Sequence, residues 1–172
     1  MAGSPTSFRV EVLIENDWRR LRNIRLTALD ADPAVFLSSH ETEAAFAEEQ
    51  WRQEFARGEW HVMRAADQGL GQPDVGLLGV TRLPTTPSWG CYLEYLWVAP
   101  RVRRHGVASN LLRTVLDQLR DSGVHTVWLY ILDGNAPAMR LYQRFGFQST
   151  YNVQPLPGDP TRSEERLRLR LD

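Results

Sequence analysis

Val98-Ala99-Pro100-Arg101-Val102-Arg103-Arg104-His105-Gly106-Val107-Ala108-Ser109-Asn110-Leu111-Leu112 carries the decisive pattern of this chain. An apolar, strand-like run stops at Pro100, Arg103 and Arg104 stand side by side before Gly106, and apolar residues then recur at helical spacing. A strand that turns through glycine into a helix gathers unpaired backbone N–H groups and the positive end of the helix dipole at one point. An anion such as a phosphate is held by such a bend, and two guanidinium forks add donors matched to phosphate oxygens.

The bend has the form R/Q-x-x-G-x-G/A, as Arg103-x-x-Gly106-x-Ala108. A second stretch follows at a fitting distance: Asn135-Ala136-Pro137-Ala138-Met139-Arg140-Leu141-Tyr142-Gln143-Arg144-Phe145-Gly146-Phe147, of the form N-x-x-A-x-x-L-Y-x-x-x-G-F. Over the segment from Tyr92 to Phe147 the chain resembles the GNAT superfamily of acetyl-CoA-dependent N-acetyltransferases. The resemblance implies an α/β fold: about seven mostly antiparallel strands in a mixed sheet, four flanking helices, and a splayed cofactor cleft between the fourth and fifth strands. It implies that Arg103, Arg104, His105, Gly106, Val107, Ala108 and Ser109 hold the pyrophosphate of acetyl-CoA, mostly through backbone N–H groups. The pantetheine arm would pair with the backbone of Leu96, Trp97 and Val98 and touch Asn135. Tyr142 would give a proton to the departing sulfur. Where this superfamily often has glycine after the first motif arginine, the chain has Arg104, which predicts a slightly altered loop and one more positive charge.

Composition narrows the alternatives. With 172 residues, 42% of them hydrophobic and 24% charged, the chain reads as a single soluble domain, residues 1–172. A net charge of -1 argues against bulk attraction to nucleic acid or an anionic membrane, so any anion site must be a local concentration of arginine such as Arg101, Arg103 and Arg104, and the lack of an extended basic stripe speaks against nucleic-acid binding through that cluster. All 20 basic residues other than histidine are arginine, so an acetyltransferase of this composition has no lysine of its own to modify. Cys91 stands alone, which excludes an intrachain disulfide and makes the cytoplasm the expected compartment. The start, Met1 to Ser7, lacks an apolar leader, and no run reaches the length of a membrane span. His40, His61, His105 and His125 have no metal-ligand spacing, and no metal is expected.

Along the chain, Phe8 to Leu13 alternates as a strand, and Asn16-Asp17 caps a helix with Trp18, Leu21, Ile24, Ala28 and Leu29 on one side. A second helix spans about Thr42 to Arg57, with Gly58 closing it. Strands follow at Trp60–Arg64 and Val75–Leu83, joined by a hairpin-like loop from Gly69 to Asp74, and then at Cys91–Val98. The helix after the bend presents Val107, Leu111, Leu112, Val115, Leu116 and Leu119, and stops at Gly123. Thr126–Ile131 is a buried strand, Asn135 caps the next helix, and Gly146 ends it. The last strands, Phe147–Val153 and Glu165–Leu171, flank a loop from Gln154 to Ser163.

Acetyl transfer to an amine needs an anchored donor, an uncharged amine, a stabilised oxyanion and a proton for the thiolate. Tyr142, with an ordinary phenol pKa near 10, is protonated at neutral pH and serves as acid, or else is a packing aromatic beside Leu141 and Phe145. Glu94 interrupts an apolar strand on the face of Tyr92, Leu96 and Val98, and is either the base for the amine or a strand carboxylate paired with an arginine. Phe36, Ser38, Glu41, Trp51, Trp60 and Tyr151 are candidate linings of an amine pocket. Cys91 reads as a small buried residue rather than an acyl carrier. The expected partners are acetyl-CoA and an amine acceptor (a small amine, an amino-acid derivative, an antibiotic or a protein N-terminus), with the chain a monomer or homodimer. A non-catalytic acyl-CoA sensor is the alternative.

Overall fold

In the computed structural model, which describes residues 7–66 and 72–171, the first strand β1 (Phe8–Val12) leads into helices α1 (Trp18–Ala31), α2 (His40–Ala44) and α3 (Glu48–Ala56). Strands β2 (Gly58–Ala65), β3 (Gly76–Thr81) and β4 (Gly90–Val98) follow, then α4 (Val107–Asp121), β5 (Thr126–Leu132), α5 (Ala136–Arg144), β6 (Gln148–Leu156) and β7 (Asp159–Arg170). The strands form one sheet in the order β1-β2-β3-β4-β5-β7-β6. Pairs β1–β2, β5–β7 and β6–β7 are antiparallel, while β4–β5 is parallel. The expected mixed α/β architecture is therefore present, with the strands in the expected succession. The start of the chain and part of the Gly69–Asp74 loop lie outside the described residues.

The chain forms two compact units, Met1–Gly79 with Tyr95–Val115 and Val80–Glu94 with Leu116–Asp172. In the first, the apolar side of α1 is buried as its spacing predicts: Trp18, Leu21, Ile24, Ala28 and Leu29 are all at most 6% exposed. Trp51, Trp60, Val62, Met63 and Leu77 of the same unit are also buried. The first turns of α4 bury Val107, Leu111, Leu112 and Val115. In the second unit, Cys91, Leu93, Val127, Leu129, Ile131 and Leu167 supply the core from alternate strand positions, and Leu116 and Leu119 continue the apolar side of α4. Val124 donates its backbone N–H to Leu119 O at 3.0 Å around Gly123, which ends that helix at a positive φ of 82°.

Three expectations need correction. The second predicted helix is two, so the described residues hold five α-helices rather than four. Glu43 is drawn into the core by Arg25, and the Ala47 backbone N–H donates to Gln50 Oε1 at 2.9 Å, capping a fresh start at Glu48. Gly58 opens β2 instead of closing a helix. The loop expected from Gln154 to Ser163 is almost entirely strand, because Pro157 and Gly158 (φ 82°) make a tight turn that pairs Leu156 with Asp159.

Candidate active site

The bend between β4 and α4 is open. Arg103, Arg104, His105 and Gly106 are exposed, and a Cβ placed on Gly106 would meet no atom within 4 Å. Gly106 has φ 75° and accepts the Asn110 N–H at 2.9 Å, the first bond of α4, leaving the N–H groups before it at a helix N-terminus. Arg104 also adopts a left-handed φ, 65°. An arginine there occupies the conformation that glycine adopts without strain, so the extra charge enters with the turn preserved.

Arg103 behaves differently from the expected free fork. Its Nε donates to Val98 O at 2.8 Å, and its terminal nitrogens bond the Asp32 carboxylate, one of them at 3.4 Å and the other closer. Asp32 Oδ2 also accepts the Trp97 indole N–H at 2.7 Å. The guanidinium thus fastens the bend to the end of β4 and to Asp32. The His105 ring folds back, with Nδ1 2.8 Å from Arg103 O. Val107 is buried, while Ala108 and Ser109 are half-buried. The Arg103 and Trp97 contacts hold the Asp32 carboxyl below the usual carboxylate range, outweighing the upward push of burial.

Strand β4 is not regular. Tyr95 has φ 59°, which breaks the two-residue alternation, so Glu94, Tyr95 and Leu96 are all half-buried while Trp97 and Val98 are both buried. The expected face shared by Glu94, Leu96 and Val98 ends at this kink. Sequence reasoning missed Tyr95, because nothing in an aromatic inside an apolar run marks a positive φ. Its ring lies under the Arg25 guanidinium at 3.9 Å and beside Trp60 at 5.5 Å. Trp60 and Trp51 belong to the core at 2% and 1% exposure, Phe36 and Ser38 are half-buried, Glu41 is exposed, and Tyr151 is 90% exposed on the edge strand β6.

In the second unit, Glu94 accepts a hydrogen bond from the Thr81 hydroxyl at 2.9 Å, not from an arginine. The β4–β5 ladder runs from Gly90–Thr126 to Tyr92–Trp128, so it covers the three residues that precede Leu93 and Glu94. Asn135 caps α5, its side-chain oxygen accepting the Ala138 N–H at 3.3 Å, and stands on the wall of a cavity of about 410 Å³ with Met139, Ile131, Val153 and Glu164. Tyr142 is buried and meets Phe147 edge-on at 5.4 Å; burial pushes its phenol well above the ordinary value of 10.0. The first unit thus gathers Leu96, Trp97, Val98 and the bend, and the second carries Glu94, Asn135 and Tyr142. Cys91 is buried. Among the described residues no group of three His, Cys, Asp or Glu side chains is placed to hold a metal, and no helix is long and apolar enough to cross a membrane.

A profile of the acetyltransferase (GNAT) family matches residues 18–147, taking in both the bend and α5. This chain belongs to that family. Among solved structures, a GCN5-related N-acetyltransferase from Kribbella flavida superposes with a TM-score of 0.74 at 17% identity, over 97% of this chain and 99% of that one. A protein from Salmonella typhimurium described as an acetyltransferase and solved with its cofactor acetyl-CoA superposes at 0.67 with 18% identity, over 96% of this chain and 94% of its own. Both show that the GNAT chain has the family's fold. Sequence similarity to curated relatives is confined to short stretches: a mycothiol acetyltransferase of Brachybacterium faecium is 49% identical over 49 residues, 28% of this chain and 15% of that protein.

Proposed function

We propose that residues 1–172 form one N-acetyltransferase domain that moves the acetyl group of acetyl-CoA directly to a primary amine. The observation that carries this reading is the open bend from Arg103 to Ser109, where Arg104 and Gly106 adopt positive φ, Gly106 faces open space, and the first amides of α4 follow. Bound there, acetyl-CoA would supply an activated thioester. The bend amides and Arg104 hold its pyrophosphate, and the backbone of Leu96, Trp97 and Val98, beyond the kink in β4, lies along its arm. Glu94, steadied by Thr81, takes the proton the amine must lose, directly or through water. A C–N bond forms as the C–S bond breaks, and Tyr142 passes its proton to the thiolate. The high phenol pKa keeps that proton in place across the neutral range. The lone buried Cys91 agrees with a cytoplasmic setting. The enzyme works as a monomer or homodimer.

Thiol release from acetyl-CoA in the presence of an amine panel tests the activity, and calorimetric titration with coenzyme A tests the bend. Gly106→Val fills no occupied space, so its effect isolates the bend: the left-handed φ costs roughly 1–2 kcal/mol, and coenzyme A affinity is expected to fall by at least about 10-fold. Unchanged affinity overturns the assignment.

A further inference from the structure

Tyr92 on β4 stands in register with Trp128 on β5, and its ring meets both Trp128 at 5.6 Å and Tyr130 at 6.0 Å, the two tyrosine planes lying 4° apart. Trp89 extends the row, 5.7 Å from Trp128. Alternation puts the three strand rings on the face opposite Cys91, Leu93, Val127 and Leu129, which are buried. Tyr92, Trp128 and Tyr130 are half-buried and Trp89 is 46% exposed, so the row stays in contact with solvent where core aromatics would not. Gly90 makes room for Trp128: a Cβ there would come within 2.3 Å of the Trp128 indole, and its absence lets the indole lie against the strand. Glu94 follows Tyr92 on the same face, its carboxylate bonded by Thr81. At the opposite flank Arg166 of β7 lies directly across from Tyr130, with Nε 3.4 Å from Thr150 Oγ1. Glu94 flanks the rings on the β4 side, while Arg166 and Arg168, across from Tyr130 and Trp128, flank them on the β7 side, so the charge gradient runs from strand to strand. An ammonium is attracted to the rings and to Glu94 and is repelled from the β7 side.

We propose that Tyr92, Trp128 and Tyr130 form the acceptor platform of this protein and select a primary amine carried on an aromatic ring, with the ammonium directed toward Glu94. The inference rests on the acetyltransferase reading for its chemistry but not for its test, which reads binding without turnover. Calorimetric titration of the full chain with 2-phenylethylamine and with its saturated counterpart 2-cyclohexylethylamine separates π recognition from apolar burial. The aromatic amine is expected to bind about 3- to 10-fold more tightly. Trp128→Leu, which still covers Gly90, removes that preference; Trp128→Phe keeps it; both leave coenzyme A affinity unchanged. Tyr130→Leu gives the same readout if Trp128→Leu does not fold. Equal affinities, tighter binding of the saturated amine, or a preference that survives in both leucine variants overturns the proposal. A chain that binds the aromatic amine in this way yet releases no thiol with any amine refutes the acetyltransferase reading instead.

Discussion

Arg104 holds a left-handed φ of 65° that costs an L-residue roughly 1–2 kcal/mol, and Tyr95 does the same inside a strand. Neither would be tolerated without compensation from its surroundings, and both sit where the proposed cofactor contacts lie. Tyr142 shows how placement sets chemistry. Its burial disfavours phenolate, so the proposed acid keeps its proton across the neutral range. Tyr142→Phe is expected to lower kcat by about 100-fold with the KM for acetyl-CoA unchanged, as steady-state thiol release will show. The same shift has a sign for stability. The folded phenol titrates above its unfolded value of 10.0, so the stabilisation is complete below that pH and is lost as pH rises through the folded value. Urea denaturation at about pH 9 and pH 11 should show a stability loss that is smaller in Tyr142→Phe. The tyrosine and its helical position were legible in the sequence. Its burial was not, because burial depends on Phe147 and on strands remote along the chain.

At the scale of elements, Asp32 joins three of them. It follows α1, bonds Trp97 of β4 and holds Arg103 of the bend. No local pattern marks it, since Asp32 before Pro33 reads simply as a helix stop. Arg103, the first residue of the motif, was legible as important, but its bonds to Asp32 and Val98 O appear only in the tertiary structure. Asp32→Asn keeps the shape and removes the charge. It is expected to raise the KM for acetyl-CoA by about 10-fold, roughly the value of one charged hydrogen bond, and to leave kcat unchanged. The Asp32 carboxyl titrates below its ordinary 3.8, so its contribution is full above that pH and is lost as pH falls through the lowered value. Helix boundaries at Gly123 and Gly146 followed from sequence because a C-terminal glycine acts locally. The break between α2 and α3 did not, because it depends on Glu43 reaching a partner on another helix.

For the molecule as a whole, that partner organises the first unit. Arg25 and Glu43 form a buried ion pair, their side chains 8% and 5% exposed, and the guanidinium also covers the kinked Tyr95. Removing one charge strands the other, so Glu43→Gln is expected to cost ~3–5 kcal/mol, measurable as a lowered urea midpoint. Because the pair backs the β4 kink, the loss of acetyl-CoA affinity should track the loss of stability. By itself the sequence determined the family, the succession of strands and of the helices apart from the α2–α3 break, the bend and the tyrosine helix, since each is written in residues close together along the chain and governed by backbone sterics and apolar period. Tertiary structure alone decided the kink at Tyr95, the diversion of Arg103 to Asp32, the Thr81 contact of Glu94 and the aromatic row beside it. Those depend on side chains brought together from distant positions, where packing and the need to pair every buried charge override local preference.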